Sequence, residues 1–222
     1  MAYTTAVVLP LAISTASECL FNKKALGLSM PSPSLTPPQT GKSVLIWGGS
    51  SSVGAAAVQP AVAAGIKVVT VASKHNLEKV RALGAHAVFD YNSSTVTGDI
   101  LEALKGTAYT GVADCIGSKE SAAGWAPVFN ELGGRYGSVM PDAPDIPQGA
   151  EGHCVFASLV ASADRYVGEG VWGNFVTPAL ERGSLKPKPD PIVMGKGLET
   201  IQEAVDMLQQ KSVSFGKIVV EL

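Results

Sequence analysis

Seven consecutive residues, Gly48-Gly49-Ser50-Ser51-Ser52-Val53-Gly54, combine three glycines with three hydroxyls. Gly48 and Gly49 allow a sharp turn, and Gly54 lets a following helix lie close to the strand before it. A turn of this kind presents free backbone N–H groups and the positive end of a helix dipole, a combination that binds phosphate. Gly49 to Gly54 has the length of the G-x-G-x-x-G dinucleotide fingerprint, with Ser51 where the middle glycine stands. Serine keeps that position small and adds a hydrogen-bonding group, so the loop still suits a pyrophosphate. The competing reading is an ordinary strand–turn–helix connection.

A second group sits where the next strand ends. Val68-Val-Thr-Val-Ala72 is followed by Ser73-Lys-His-Asn76, and no carboxylate occurs before Glu78. An Asp or Glu at this point takes the 2′-hydroxyl of NAD. A hydroxyl, a lysine and an amide suit a 2′-phosphate instead, so the expected cofactor is NADP(H). Ser73 and Asn76 are equally suited to capping the next helix, and the two roles are compatible. His75, His86 and His153 are scattered, without ligand spacing, and no catalytic residue is assigned to them. Cys19, Cys115 and Cys154 are far apart and odd in number. They predict free thiols rather than a disulfide framework, and no metal site.

These groups need a scaffold, and the sequence alternates in a way that supplies one. Strands are predicted at 43–47, 67–72, 86–89, 111–115, 134–139 and 153–159. Helices are predicted at Ser52–Ala64, Asn76–Leu83, 97–105, 119–131 and 171–182. Such alternation means an α/β, doubly wound parallel sheet of Rossmann type with helices on both faces. Pro10–Ala25 reads as a helix before the sheet, and the Pro/Ser-rich run 30–41 as an exposed loop. A helix at 197–210 and the strand 217–222 close the chain, and Lys186–Asp190 reads as a solvated loop. The expectation is a single domain over 1–222, made of an N-terminal helix region (1–30), a nucleotide-binding core (42–160) and a C-terminal extension (161–222).

Composition agrees. The 222 residues are 46% hydrophobic and 16% charged, with 24 Gly and 14 Pro, which describes a compact globular chain rather than a disordered one. A net charge of −2 with no basic run argues against a nucleic-acid surface. The apolar opening lacks the basic flank of a signal peptide and is interrupted by Pro10, Ser14, Thr15 and Glu18, so no membrane association and a cytoplasmic location are expected.

LPLAISTA (9–16), GGSSSVG (48–54), TVASKHNLEKVRALGAHAVFDY (70–91), ADCIGSKES (113–121) and the closing GLETIQEAVDMLQQKSVSFGKIVVEL together resemble the zinc-independent medium-chain dehydrogenase/reductases. Within them the chain is similar to the fungal branch of trans-acting enoyl reductases and quinone-oxidoreductase-like proteins. The resemblance covers nearly the whole chain. It implies a set of NADP(H) contacts: Gly49, Ser50, Ser51, Ser52 and Val53 at the pyrophosphate; Ser73, Asn76 and Tyr91 at the 2′-phosphate and adenosine, with Lys74 beside them; Cys115, Ile116 and Gly117 at the nicotinamide-side ribose; Val139 and Met140 at the nicotinamide ring; and Thr15 approaching its end. It also implies that a GroES-like β-rich domain, which supplies one wall of the substrate cleft in such proteins, precedes the first helix in relatives and is lacking here.

The function expected is NADPH-dependent hydride transfer to a small-molecule substrate: an enoyl or enone group, a quinone, or a polyketide-like compound. Two alternatives stand beside it, a nucleotide-binding module without its own turnover and a reassigned scaffold performing non-redox cyclisation or isomerisation. Loss of cover over Leu9, Leu11 and Ile13 on the first helix would favour self-association or a partner chain.

Overall fold

A computed structural model of the chain describes residues 1–141, 146–210 and 213–222. Six strands form one parallel sheet in the order β3-β2-β1-β4-β5-β6. They are β1 (Lys42–Trp47), β2 (Lys67–Ala72), β3 (Ala87–Asp90), β4 (Ala108–Asp114), β5 (Arg135–Ser138) and β6 (Glu151–Cys154). The order reverses between β1 and β4, and ligands of open α/β sheets bind at such a point, beyond the carboxyl ends of the strands.

The centre of the sheet follows from its residues. Five of the six residues of β1 are buried, as a strand covered on both faces requires. Period-2 alternation splits them between two cores. The short helix α1 (Tyr3–Ala6) precedes α2 (Pro10–Phe21), and the short helix α4 (Leu77–Arg81) follows β2. Val44 and Ile46 pack with the helices α2 and α3 (Ser52–Ala63). Leu45 and Trp47 pack on the opposite face with α5 (Val96–Leu104) and α6 (Lys119–Leu132). The expected doubly wound sheet is therefore observed. The alanine-rich α3 has five buried alanines and lies tight against the sheet.

Several boundaries differ from expectation. Helix α2 ends at Phe21 rather than Ala25, because Asn22 turns to extended geometry and its side-chain oxygen accepts from the Lys24 N–H at 2.9 Å. This local bond competes with helix continuation. The sixth strand spans Glu151–Cys154 instead of 153–159. Its partner β5 is only four residues long, the two run in register from Arg135↔Glu151 to Ser138↔Cys154, and the chain then turns into a 3₁₀ segment, Ala157–Ala161. The helix expected at 171–182 starts earlier, as α7 (Arg165–Gly168), and continues through a π-helical stretch, Glu169–Val176, into α8 (Thr177–Arg182). The loop expected at Lys186–Asp190 ends in a strand that the sequence did not announce, β7 (Asp190–Lys196). It pairs in parallel with β8 (Gly216–Glu221) as a separate two-stranded sheet, joined by α9 (Ile201–Gln209).

The N-terminal helix is also better covered than expected. Leu9 and Ile13, four residues apart, share the face that enters the core and are buried, while Leu11 points the other way and is 64% exposed. The segment Tyr3–Phe21 is long and apolar enough to cross a membrane by length and composition, with 61% of it buried inside the fold.

Candidate functional site

The glycine–serine loop sits between β1 and α3, at the reversal of strand order. Gly48 adopts φ +85°, and a Cβ there would lie 2.6 Å from the Ile116 side chain. A Cβ on Gly54 would fall 2.1 Å from the Gly48 carbonyl oxygen, so α3 can start against the loop only with hydrogen at this position. Ser51 is the N-cap of α3. Its Oγ accepts from the Gly54 N–H at 2.9 Å and donates to the Cys115 carbonyl at 3.3 Å. The serine in place of the fingerprint's middle glycine is thus used for capping and for tying β1's loop to β4's. Among the described residues the N–H groups of Ser50, Ser52 and Val53 take part in no hydrogen bond and remain for a ligand. Lys217 of β8 reaches the same loop, its Nζ donating to Ser52 Oγ at 3.4 Å.

Next to the loop lies a cavity of about 590 Å³, whose wall includes Ser50, Ser51, Ser73, Asn76, Tyr91 and Ile116. At its far end, beyond β2, Asn76 is 1% exposed and donates through Nδ2 to Ser73 Oγ at 3.1 Å and to Ser214 Oγ at 2.8 Å. His75 Nε2 lies 2.8 Å from the same Ser214 hydroxyl. Asn76 Oδ1 is buried without a partner. Turned by half a rotation, the same amide would accept from the two hydroxyls and present its NH₂ at the vacant position, where an anionic oxygen could take it. Lys74 is exposed at this end, and Lys79 lies 5.8 Å from the centre of the Phe215 ring. This end of the cavity is therefore rich in donors, with two lysines outside its wall, and no carboxylate occurs between Ala72 and Glu78.

A third wall is the turn after β4. Asp114 Oδ1 accepts from the N–H groups of Ile116 and Gly117 at 3.0 and 2.9 Å. Met140 closes against it, since a Cβ on Gly117 would be 2.6 Å from the Met140 side chain. Val139 N–H donates to the Asp114 carbonyl at 3.2 Å.

Residues 52–124 match the model of the family described as zinc-binding dehydrogenase. The chain is 42% identical, over 98% of its length, to a trans-enoyl reductase of Aspergillus japonicus, of which it covers 62%. It is 41% identical, over 99% of its length, to a dehydrogenase of Aspergillus niger, of which it covers 64%. The fold matches the quinone oxidoreductase of Thermus thermophilus with a TM-score of 0.71 at 24% identity, over the whole of this chain and 67% of that one. In sequence and fold the chain is similar to the medium-chain dehydrogenase/reductases. It spans less than two thirds of the length of the two curated relatives.

Against that family the expected contact residues fall into two groups. Gly49 to Val53, Ser73, Asn76, Tyr91 and Cys115 to Gly117 converge at the carboxyl ends of β1, β2, β3 and β4, and Val139 and Met140 at that of β5. Lys74 lies on the adjoining surface, outside the cavity wall. Thr15 lies apart from the cavity wall, on α2, and its hydroxyl donates to the Leu11 carbonyl of its own helix at 2.8 Å. Helix α2 crosses β5 one turn further on, where Gly137 faces Cys19. Cys115 is buried, and desolvation raises its thiol well above the usual range, so what it offers a ligand is backbone. No group of three metal-ligating side chains occurs among the described residues.

Sequence reading missed Ser214, Lys217, Asp114 and the pairing of His75 with Ser214. Ser214 lies 138 residues from Asn76, so no spacing rule could connect them.

Proposed function

We propose that the chain binds NADPH and serves as an oxidoreductase of the medium-chain type, acting on an activated alkene or a quinone. One observation carries the cofactor reading: the Ser73–Asn76–Ser214 cluster, with its buried unpaired amide oxygen, at the end of a strand that lacks the carboxylate needed for a free 2′-hydroxyl. The N–H groups of the capped loop would hold the pyrophosphate, the cluster and Lys74 the 2′-phosphate, Tyr91 the adenosine, and the turns at Cys115–Gly117 and Val139–Met140 the nicotinamide half. When bound, the nicotinamide supplies the hydride chemistry. The enoyl choice is supported by the 42% identical relative named a trans-enoyl reductase.

The chain's own residues orient and support; Tyr91 and Glu120 are the titratable side chains in the cavity wall among the described residues, and neither is assigned as a proton donor. A second reading, nucleotide binding without turnover by this chain alone, is favoured by the openness of the nicotinamide side. Ile116 is 44% and Met140 51% exposed there, whereas hydride transfer needs water excluded. Following NADPH absorbance with enones, enoyl thioesters and quinones decides between them. Oxidation that depends on the acceptor supports the reductase; tight NADPH binding with no oxidation supports the binding module; product formation without NADPH overturns both.

A further inference from the structure

Asp114 is a fully buried carboxylate just behind the wall of this site, and among the described residues each bond its side chain makes is directed at something that shapes the wall. Its residue is 0% exposed, at the end of β4 between Trp47 of β1 and Ser138 of β5. Oδ1 takes the N–H groups of Ile116 and Gly117. Oδ2 takes the Ser121 hydroxyl at 2.7 Å and the Trp125 indole N–H at 2.9 Å, both on α6. Four donors thus surround one carboxylate, and two of them are the backbone of the turn itself. That turn touches the phosphate loop twice: Ile116 covers Gly48, and the Cys115 carbonyl accepts from Ser51.

We infer that Asp114 is a positioning residue for the cofactor, fixing the 115–117 turn against the phosphate loop and anchoring it to α6. The inference rests on the cofactor reading above. Its chemistry is specific to a carboxylate. Asparagine has the same shape, but its NH₂ end cannot accept, so at least one pair of donors loses its partner.

The test compares three forms of the full chain: wild type, Asp114→Asn, and Val128→Ala, a buried α6 residue that makes no bond to Asp114. NADPH affinity is measured by calorimetry well below each melting temperature, with circular dichroism to show that each form is folded. Positioning predicts at least tenfold weaker NADPH binding for Asp114→Asn and less than a twofold change for Val128→Ala, although both melt earlier. A merely structural role predicts that affinity is kept in both folded variants, and that result overturns the inference. Should Asp114→Asn not fold, amide hydrogen exchange of the free wild type decides. Slow exchange at Ile116 and Gly117 is expected, and exchange at the rate of an exposed loop overturns the proposal. A wild type that binds neither NADPH nor NADH would remove the cofactor reading itself; binding by wild type beside unchanged binding by Asp114→Asn removes the positioning role alone.

Discussion

Ser51 shows how one side chain can stand at the fingerprint's middle glycine position and still fit the turn. Its hydroxyl both caps α3 and reaches Cys115, so removing it has two costs that differ by substitution. Glycine is itself a tolerated cap, and Ser51→Gly should lose only a few tenths of a kcal/mol, whereas Ser51→Ala should lose about 1 kcal/mol. For a chain of this size the alanine variant should melt roughly 2–4 °C lower. Thermal melts giving equal stability for both would show that the cap is immaterial. Glu18 offers a contrast, a buried carboxyl outside the site. Desolvation raises its pKa; the Asn22 hydrogen bond opposes that, Asp164 adds to it, and Lys24 opposes it. One carboxylate oxygen is buried without a partner. A raised value in the fold means that the native state holds the proton more tightly than the unfolded chain. The associated stability is therefore complete below the ordinary carboxylate range and is lost as pH rises through the folded value. Glu18→Gln should then raise the melting temperature at about pH 8, by roughly the 2–4 °C that 1 kcal/mol produces. The gain should vanish near pH 4, and melts showing the same gain at both ends of that range would contradict this account.

At the scale of elements, the contact between β1 and α3 decides whether the loop can exist. Gly54→Val would place carbon within 2.1 Å of the Gly48 carbonyl, and no rotamer relieves a clash at Cβ. The helix must move away from the strand, tilting the N–H groups of Ser52 and Val53. An overpacking cost of roughly 1–3 kcal/mol or more is expected, together with loss of the NADPH-induced rise in melting temperature. Melts with and without NADPH would show it, and a rise of wild-type size in the variant would make the loop an ordinary turn. This junction was legible in the sequence because strand, glycines and helix are adjacent, and each is dictated by its own residues. The same holds for β2, whose apolar run ends at Ala72 as expected. Elements defined by distant partners were less legible. The strand 153–159 was read too long because its length is set by the four residues of β5. Strand β7 carries Pro191 and two glycine-flanked positions and exists through its pairing with β8, which begins 26 residues beyond the start of β7.

Over the whole molecule, the proposed choice of NADPH rests on segments that the chain brings together only when folded. Ser73 and Asn76 follow the second strand, while Ser214 arrives just before the last one and is held between His75 and Asn76. Asp114 is in the same position with respect to sequence: its neighbours Val112 and Ala113 mark a buried strand, and nothing nearby shows that its carboxylate faces inward to two backbone N–H groups. Local rules therefore located the strand–loop–helix junction and the lack of a carboxylate between Ala72 and Glu78, but not the C-terminal side of the same pocket. This arrangement predicts a preference that can be both measured and reversed. NADPH should bind at least tenfold more tightly than NADH, a difference of about 1.4 kcal/mol. Ser214→Ala should narrow the ratio, because Asn76 loses one of the hydroxyls that orient its amide. Ser73→Asp should go further and reverse it, since a carboxylate at the end of β2 repels a 2′-phosphate and accepts from a free 2′-hydroxyl. Calorimetry with both cofactors on the three forms separates these effects from general loss of fold, because NADH affinity should fall little in Ser214→Ala and hold or rise in Ser73→Asp. Equal affinity of the wild type for the two cofactors would mean that the donor-rich end of the cavity does not read the phosphate, and the assignment of NADPH would fall with it.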